Sequence, residues 1–357
     1  MDPPVKPGDD GKRIVCLNRV MADKNDEYSI APSQIADLKA IRPIDEGRFT
    51  SAMDAVVKES EAMRLRYMKQ HSSRGMLTMS LGIVLALGGA GGFGWFFLVK
   101  FNLIKAAACM VPALIVPFAL HVWSQAPLGN YIRDYKLKFM PQMAQALGGF
   151  KFYAQRGIPR EMIGKTGVIP AHDTYKVEDA FIGTYKGTKV IFSEARLYSR
   201  KLRDPAFHGV FVMLETPHKI FEGHTIITAD RAMAKNSIST RWQKLSQVKI
   251  KVENPDWDRF LVFSDKPEDA ALLVGEKLLK ELSEASDIFG KTDLTTVLFR
   301  GKFIFMMIPT KGDMFEPSSM FMPVSTKQHA LQCKKEIERI LEIIDIFEIY
   351  KASAPPL

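Results

Sequence analysis

The sequence predicts an α+β chain in which a two-helix transmembrane hairpin precedes a mainly antiparallel sheet domain with a long C-terminal helix. Three observations predict it. Met76 to Val99 is 24 residues without a charge, and Ala106 to Trp123 is a second uncharged run of 18. From Phe181 onward, short runs rich in β-branched and aromatic residues alternate with turn dipeptides. From Thr326 to Tyr350, apolar residues recur at helical spacing.

The averages conceal this division. The chain has 357 residues, 46% hydrophobic and 25% charged, with mean hydropathy −0.05. Those values exclude a collagen-like or low-complexity chain and one too polar to fold. They suggest an ordinary soluble protein only because the block 76–124 is balanced by polar flanks. The net charge is +9. The basic residues form no long run: Lys334-Lys335 is a pair followed by Glu336, and no basic stretch is interleaved with aromatics. Nucleic acid is therefore not expected as a partner. Cys16, Cys109 and Cys333 are far apart and odd in number, which argues against a disulfide framework or zinc site and fits a reducing compartment.

In chain order, residues 1–43 carry prolines and scattered charges and read as a flexible N-terminal arm. The acidic, proline-bearing start does not resemble a secretory signal, so the first apolar helix is expected to anchor the chain. Residues 44–75 read as an amphipathic helix with Met53, Val56, Val57, Ser60, Met63, Tyr67 and Met68 on one face, continuing into the first span.

The hairpin occupies 76–124, with spans at 76–99 and 106–123. At 1.5 Å per residue, each run approaches or exceeds the roughly 20 residues that cross a bilayer core. The first span holds eleven Leu, Ile, Val or Phe residues. At about −0.3 to −0.6 kcal/mol each, they favour insertion by roughly 3–7 kcal/mol. The second holds seven, with Pro112, Pro117 and His121, so it is expected to kink and to lean on the first. Small residues at Ala86, Ala90 and Gly94, and at Gly88 and Gly92, predict close helix packing. Gly89, Gly91 and Gly94 also match GxGxxG, but without a preceding strand this is not a dinucleotide site. Trp95 and Trp123 lie near span ends, where their rings favour the interface. Arg64, Arg66, Lys69 and Arg74 precede the hairpin and Arg133, Lys136 and Lys138 follow it, against Lys100 and Lys105 in the turn. That excess predicts a multi-pass protein with both termini in the cytoplasm and anionic headgroups against the flanks.

Residues 125–357 are expected to form one cytoplasmic α+β domain. Tyr131 to Tyr153 reads as a helix leaving the membrane. Phe181 to Tyr185 and Lys189 to Phe192 flank Lys186-Gly187, a tight hairpin turn. Strands follow at 209–215, 224–229, 247–252 and 259–263. Pro267 opens a helix running to Ala285, with Ala271, Val274, Leu278 and Leu282 on its inner face. Leu294 to Phe299 and Lys302 to Ile308 pair through Arg300-Gly301. The closing helix has a stripe of Cys333, Ile337, Ile340, Leu341, Ile344 and Phe347. Successive antiparallel strands followed by helices indicate α+β rather than a doubly wound sheet. A small sheet curled around the closing helix, as in pleckstrin-type binders, is one compatible topology.

Three blocks carry a family resemblance. They are Tyr175 to Asp179 with Gly183 to Gly187 and Phe192 to Glu194; Phe207 to Phe211 with Phe221 to Thr225; and Phe260 to Phe263 through Ala270 to Leu273. In this order they resemble the bacterial domain-of-unknown-function 3137 family over about residues 130–315. Many members of that family place two membrane spans before the domain, and the resemblance implies a bacterial membrane protein; the inner membrane is the expected location. It implies no activity, cofactor or site residue.

Chemistry-bearing residues are sparse. His208, His218 and His224 lack the convergent spacing of a metal site, and neither metal nor cofactor is expected. Glu178, Asp179 and Glu194 are the candidate catalytic residues, since two carboxylates in unlike environments serve as acid and base. Their plainer reading is that Glu178-Asp179 opens a strand and Glu194 pairs with a nearby Arg or Lys. GxSxG, HExxH and GxxxxGK[ST] are absent. Met306, Met307, Met314, Met320 and Met322 suit an adaptable surface or, more commonly, a core. The sequence thus favours a membrane-anchored binding or scaffolding module over its alternative, a membrane-bound hydrolase using Glu178, Asp179 and Glu194.

Overall fold

The computed structural model describes residues 30, 38, 40–42, 46–238, 245–252, 254, 257–315, 319–321 and 326–353. They fall into two compact units: residues 50–142 with 316–329, and residues 1–49, 143–315 and 330–357.

The first unit is built on two long helices. Helix α1 runs unbroken over Glu46–Gly94 and passes into a π-helical turn, Trp95–Val99. The amphipathic segment and the first span are therefore one rod. Helix α2, Leu103–Asp134, continues through a second π turn, Tyr135–Phe139, into α3, Met140–Ala146. The turn between the rods is shorter than the six residues expected, because α2 starts at Leu103. Asn102 caps it, its side-chain oxygen accepting from the Lys105 N–H at 3.0 Å. The helical segments 46–99 and 103–146 are long and apolar enough to cross a membrane, by length and composition.

Close packing in this unit follows the expected small-residue set only in part: Gly92 belongs to that set and Gly89 does not. A Cβ on Gly89 would stand 2.2 Å from the Ala113 Cβ, and one on Gly92 would stand 3.1 Å from the Cys109 Sγ. Gly88, Gly91 and Gly94 have open space where a Cβ would go. The seam therefore follows Gly82, Gly89 and Gly92, at spacings of seven and three. Four-residue spacing alone did not identify the face. Below the seam, the Tyr67 hydroxyl donates to Asp134 at 2.8 Å, and the Tyr67, Tyr131 and Tyr135 rings contact in series.

The second unit is a sheet of nine strands: β1 Lys151–Tyr153, β2 Thr174–Tyr185, β3 Thr188–Tyr198, β4 Phe207–Glu215, β5 Thr225–Thr228, β6 Ser246–Val248, β7 Leu261–Ser264, β8 Thr295–Phe299 and β9 Phe303–Pro309. Their order is β1-β2-β3-β4-β9-β8-β5-β7-β6, and every neighbouring pair is antiparallel. This nine-strand array is larger than the small sheet the sequence suggested. Lys186 and Gly187 both have positive φ, +48° and +80°, as a two-residue type I′ hairpin requires. Arg300 and Gly301 do likewise, but there the loop is three residues long, between paired Phe299 and Phe303.

Two boundaries differ from expectation. The helix ends at Ala146, because Gly148 and Gly149 take φ of +109° and +98°; the chain then enters edge strand β1. The helix after Pro267 breaks at Val274-Gly275 into α6, Pro267–Leu273, and α7, Glu276–Ile288 (α4, Arg160–Gly164, and α5, Arg231–Ile238, come earlier). Val274, Leu278 and Leu282 are buried as expected, whereas Ala271 is exposed and Ala270 is buried in its place.

Both sheet faces are covered. One buries Val177, Ala180, Ile182, Ile191, Phe211 and Phe305 with Ile158 and Ile163. Residues of the expected arm join this unit. Ile30 is buried in the same cluster, and the Ile41 N–H donates to the Thr184 carbonyl at 2.6 Å. The rest of 1–37 lies outside the described residues. On the other face Phe150, Phe181, Phe192 and Phe315 form a ring cluster. Helix α8, Thr326–Ser353, buries Cys333, Ile337, Ile340, Leu341 and Ile344, as its spacing predicts; the Phe347 side chain lies outside the described set. Asp345 ties α8 to the first hairpin, accepting from the Lys186 Nζ at 2.8 Å and from the Tyr185 hydroxyl at 3.3 Å.

Candidate functional site

Strand alternation assembles a charged cluster on the α8-side face. Glu178 on β2 stands directly opposite Glu194 on β3, and Arg196 stands opposite His208 on β4. Residues two apart share a face, so Glu194 and Arg196 point the same way. Like charges directly opposed in a ladder repel, and each carboxylate here has separate partners. Glu178 takes the Lys176 Nζ at 2.9 Å and the Arg196 guanidinium at 3.8 Å. Glu194, only 2% exposed, accepts from two backbone N–H groups of the segment after β9: Phe315 at 3.1 Å, and Met314 by a short contact.

Glu178-Asp179 does not open its strand. Strand β2 begins at Thr174, and the register shifts between Glu178 and Phe181. Asp179 is the bulged residue, with φ +55°; its N–H donates to the Ala154 carbonyl at 3.3 Å, and it is fully buried. An aspartate tolerates the left-handed region better than most residues. The Glu194 Oε1 binds backbone.

Asp313 was not singled out from sequence. It forms a short ion pair with Arg196 and accepts from or is paired with the His208 Nε2 at 2.9 Å. Together, Asp313 and the Met314 and Phe315 amides strap the 311–315 segment across the face bearing Glu178, Glu194, Arg196 and His208. The chemistry of the cluster is that of a clamp: one buried carboxylate saturates two amides, and one half-buried carboxylate is shared by a guanidinium and an imidazole. No signal within a few residues of Asp313 announces this, since its partners lie more than a hundred positions away.

The three histidines are not brought together. His208 is engaged by Asp313, and the His224 Nε2 lies 3.1 Å from the Thr166 carbonyl. Burial holds the His224 imidazole below its ordinary pKa, opposed by that carbonyl and by Asp265. Among the described residues no group of three or more His, Cys, Asp or Glu is placed to hold a metal ion. Met306, Met307 and Met320 are buried and fill cores, while Met322 lies outside the described residues. Cys333 is buried, and its thiol is pushed up by desolvation and then by the Glu336 and Glu194 charges. Glu336, one turn along α8, is pushed up to about 7 by burial, opposed by a hydrogen bond from Gln332.

The basic residues flanking the apolar helices also divide. Arg64 is buried, grips Glu61 and donates to the Met320 carbonyl at 2.8 Å. Lys136 is buried as well, and Lys138 pairs with Asp134 at 3.0 Å.

Residues 205–349 match the family model described as Protein of unknown function (DUF3137). That range runs from just before β4 almost to the end of α8. It starts later than the resemblance read from the sequence, omitting the Tyr175 to Glu194 block, and it includes the closing helix. No curated protein and no solved structure matches the chain.

Proposed function

We propose that the chain, whose residues 205–349 match the DUF3137 family model, serves as a membrane-anchored cytoplasmic binding or scaffolding module. The observation that carries the anchor is the exposure of its most apolar surface. In the most apolar stretches of the two long helical segments, only 6% and 11% of residues are buried. Met76, Leu87, Leu98, Leu114 and Phe118 are each more than 60% exposed. A helix belonging to a water-soluble core would bury that surface, whereas a bilayer covers it. The bilayer is thus the partner of Met76 to Val99 and Ala106 to Trp123.

The Lys and Arg excess on the two outer flanks supports a multi-pass arrangement with both termini in the cytoplasm. The family resemblance supports the bacterial inner membrane as the location. A binding role is supported by the use of the candidate carboxylates: Glu194 holds the 311–315 segment and Glu178 sits among cations.

Photo-crosslinking from exposed positions of the sheet domain in intact membranes tests the module. It is expected to capture a defined protein partner that a membrane-inserted chain lacking residues 205–349 does not capture. The contrary result is a hydrolytic activity of the purified full chain that is abolished by substituting Glu178, Asp179 and Glu194 together with the fold retained.

A further inference from the structure

We propose that the face of α1 formed by Arg66, Lys69, Gln70, Ser73 and Arg74 is a specific site for the phosphate of an anionic phospholipid. The inference rests on the reading that the hairpin spans a bilayer, and it adds a defined headgroup site to that reading.

The five side chains line one open recess of about 420 Å³. Each offers a hydrogen-bond donor: two guanidiniums, an ammonium, a primary amide and a hydroxyl. None is a carboxylate. Helical neighbours lie three and four positions away, and the acidic residues of α1 nearest in sequence, Glu59 and Glu61, fall outside that reach of all three cations. Among the described residues neither Arg66, Lys69 nor Arg74 pairs with a carboxylate, unlike Arg64 and Lys138 on the same two rods. Three cations gathered without a counter-charge are electrostatically incomplete, and a phosphate satisfies them with charge-assisted hydrogen bonds.

The depth of the recess is marked by Trp123. The Arg74 guanidinium lies 4.4 Å from the centre of that ring and donates to the Trp123 carbonyl at 3.4 Å. A tryptophan at the end of an apolar span sits at headgroup level. Directly beyond Arg74 the same face becomes apolar. Arg66, Gln70, Ser73, Leu77, Leu81 and Val84 recur at spacings of four and three, which keeps them in one stripe along the helix. Leu77, Leu81 and Val84 are 58%, 41% and 64% exposed. Donors at one end of a stripe and uncovered aliphatic side chains at the other match a phospholipid, whose phosphate meets the first and whose acyl chain lies along the second. A free phosphate or a soluble acidic peptide uses only the upper half.

The test uses the full-length chain reconstituted in bilayers of phosphatidylcholine with a minor fraction of phosphatidylglycerol, extracted gently and examined by native mass spectrometry for retained lipid. Phosphatidylglycerol is expected to be enriched over its bulk fraction. Arg66→Gln, Lys69→Gln and Arg74→Gln each lower the preference of the site for phosphatidylglycerol by about fivefold, and the triple variant returns retention to the bulk proportion. Lys100→Gln in the opposite turn leaves it unchanged. Glutamine preserves helix propensity, and circular dichroism of the triple variant verifies that the rod persists. Retention in proportion to bulk composition, or enrichment that survives the triple substitution, overturns the site. Displacement of the lipid by millimolar glycerol 3-phosphate overturns the lipid as its occupant. Flotation with the same vesicles separates the two readings: a chain that floats without enrichment loses only this site, and one that does not float loses the anchor as well.

Discussion

The backbone N–H of Phe315 donates to the carboxylate of Glu194 at 3.1 Å, across 121 positions of sequence. This contact, with that from Met314, holds the segment leaving β9 against the face of β3. It gives one of the candidate carboxylates a structural contact.

The Glu194 anchor predicts the cost of its removal. Glu194→Ala strands one buried and one partly buried donor and is expected to destabilise the sheet unit by about 2–4 kcal/mol, while Glu194→Gln keeps one acceptor and costs less. Urea unfolding of the detergent-purified chain ranks the variants. Limited trypsinolysis gives a local readout: cleavage at Lys311 should accelerate in Glu194→Ala. Equal cleavage rates in all three proteins would show that the carboxylate does not hold the segment.

Gly209 has a predicted cost of a different origin. A Cβ there would stand 2.1 Å from the Ile308 carbonyl oxygen and 2.8 Å from the Pro309 Cα, both backbone atoms of the paired strand. Gly209→Ala must therefore push β4 and β9 apart at the ladder rung next to His208 and Thr310. A loss of about 1–3 kcal/mol or more is expected. An unfolding midpoint indistinguishable from the parent would contradict the register of these strands.

Glu336 gives the sheet unit a pH dependence. Its folded pKa of about 7 stands above its ordinary 4.5. Between those values the folded state binds more protons than the unfolded one, so stability falls as pH rises through this window. Glu336→Gln removes the dependence, flattening the stability profile there and raising stability at pH 8 by on the order of 1–3 kcal/mol. Parallel profiles for parent and variant between about pH 4.5 and 7 would rule out a raised carboxyl at this position.

Local features were readable from the sequence and distant ones were not. Lys186-Gly187 and Arg300-Gly301 announce their turns because the glycine of each pair takes positive φ without steric cost. The α8 stripe was equally plain, since burial of Cys333, Ile337, Ile340, Leu341 and Ile344 follows from spacing alone. The Asp313 clamp was invisible: its partners Arg196 and His208 enter through strand pairing that no local pattern specifies. The break at Val274-Gly275 was missed because a continuous apolar period outweighed one glycine. Within the hairpin, small residues recur on several faces, and only the observed contacts single out Gly89 and Gly92. Asp179 was noticed for its charge, whereas its place in the fold comes from a bulge.

The anchor and its orientation are tested most directly by cysteine accessibility in intact cells, in a chain whose native cysteines are replaced. Asn102→Cys, in the turn between the two rods, should react with a membrane-impermeant maleimide added from outside. A cysteine at Lys351 should react only after the cells are opened. Protection of position 102 together with outside labelling of position 351 would contradict the orientation, and labelling of both only in lysed cells would contradict the span itself.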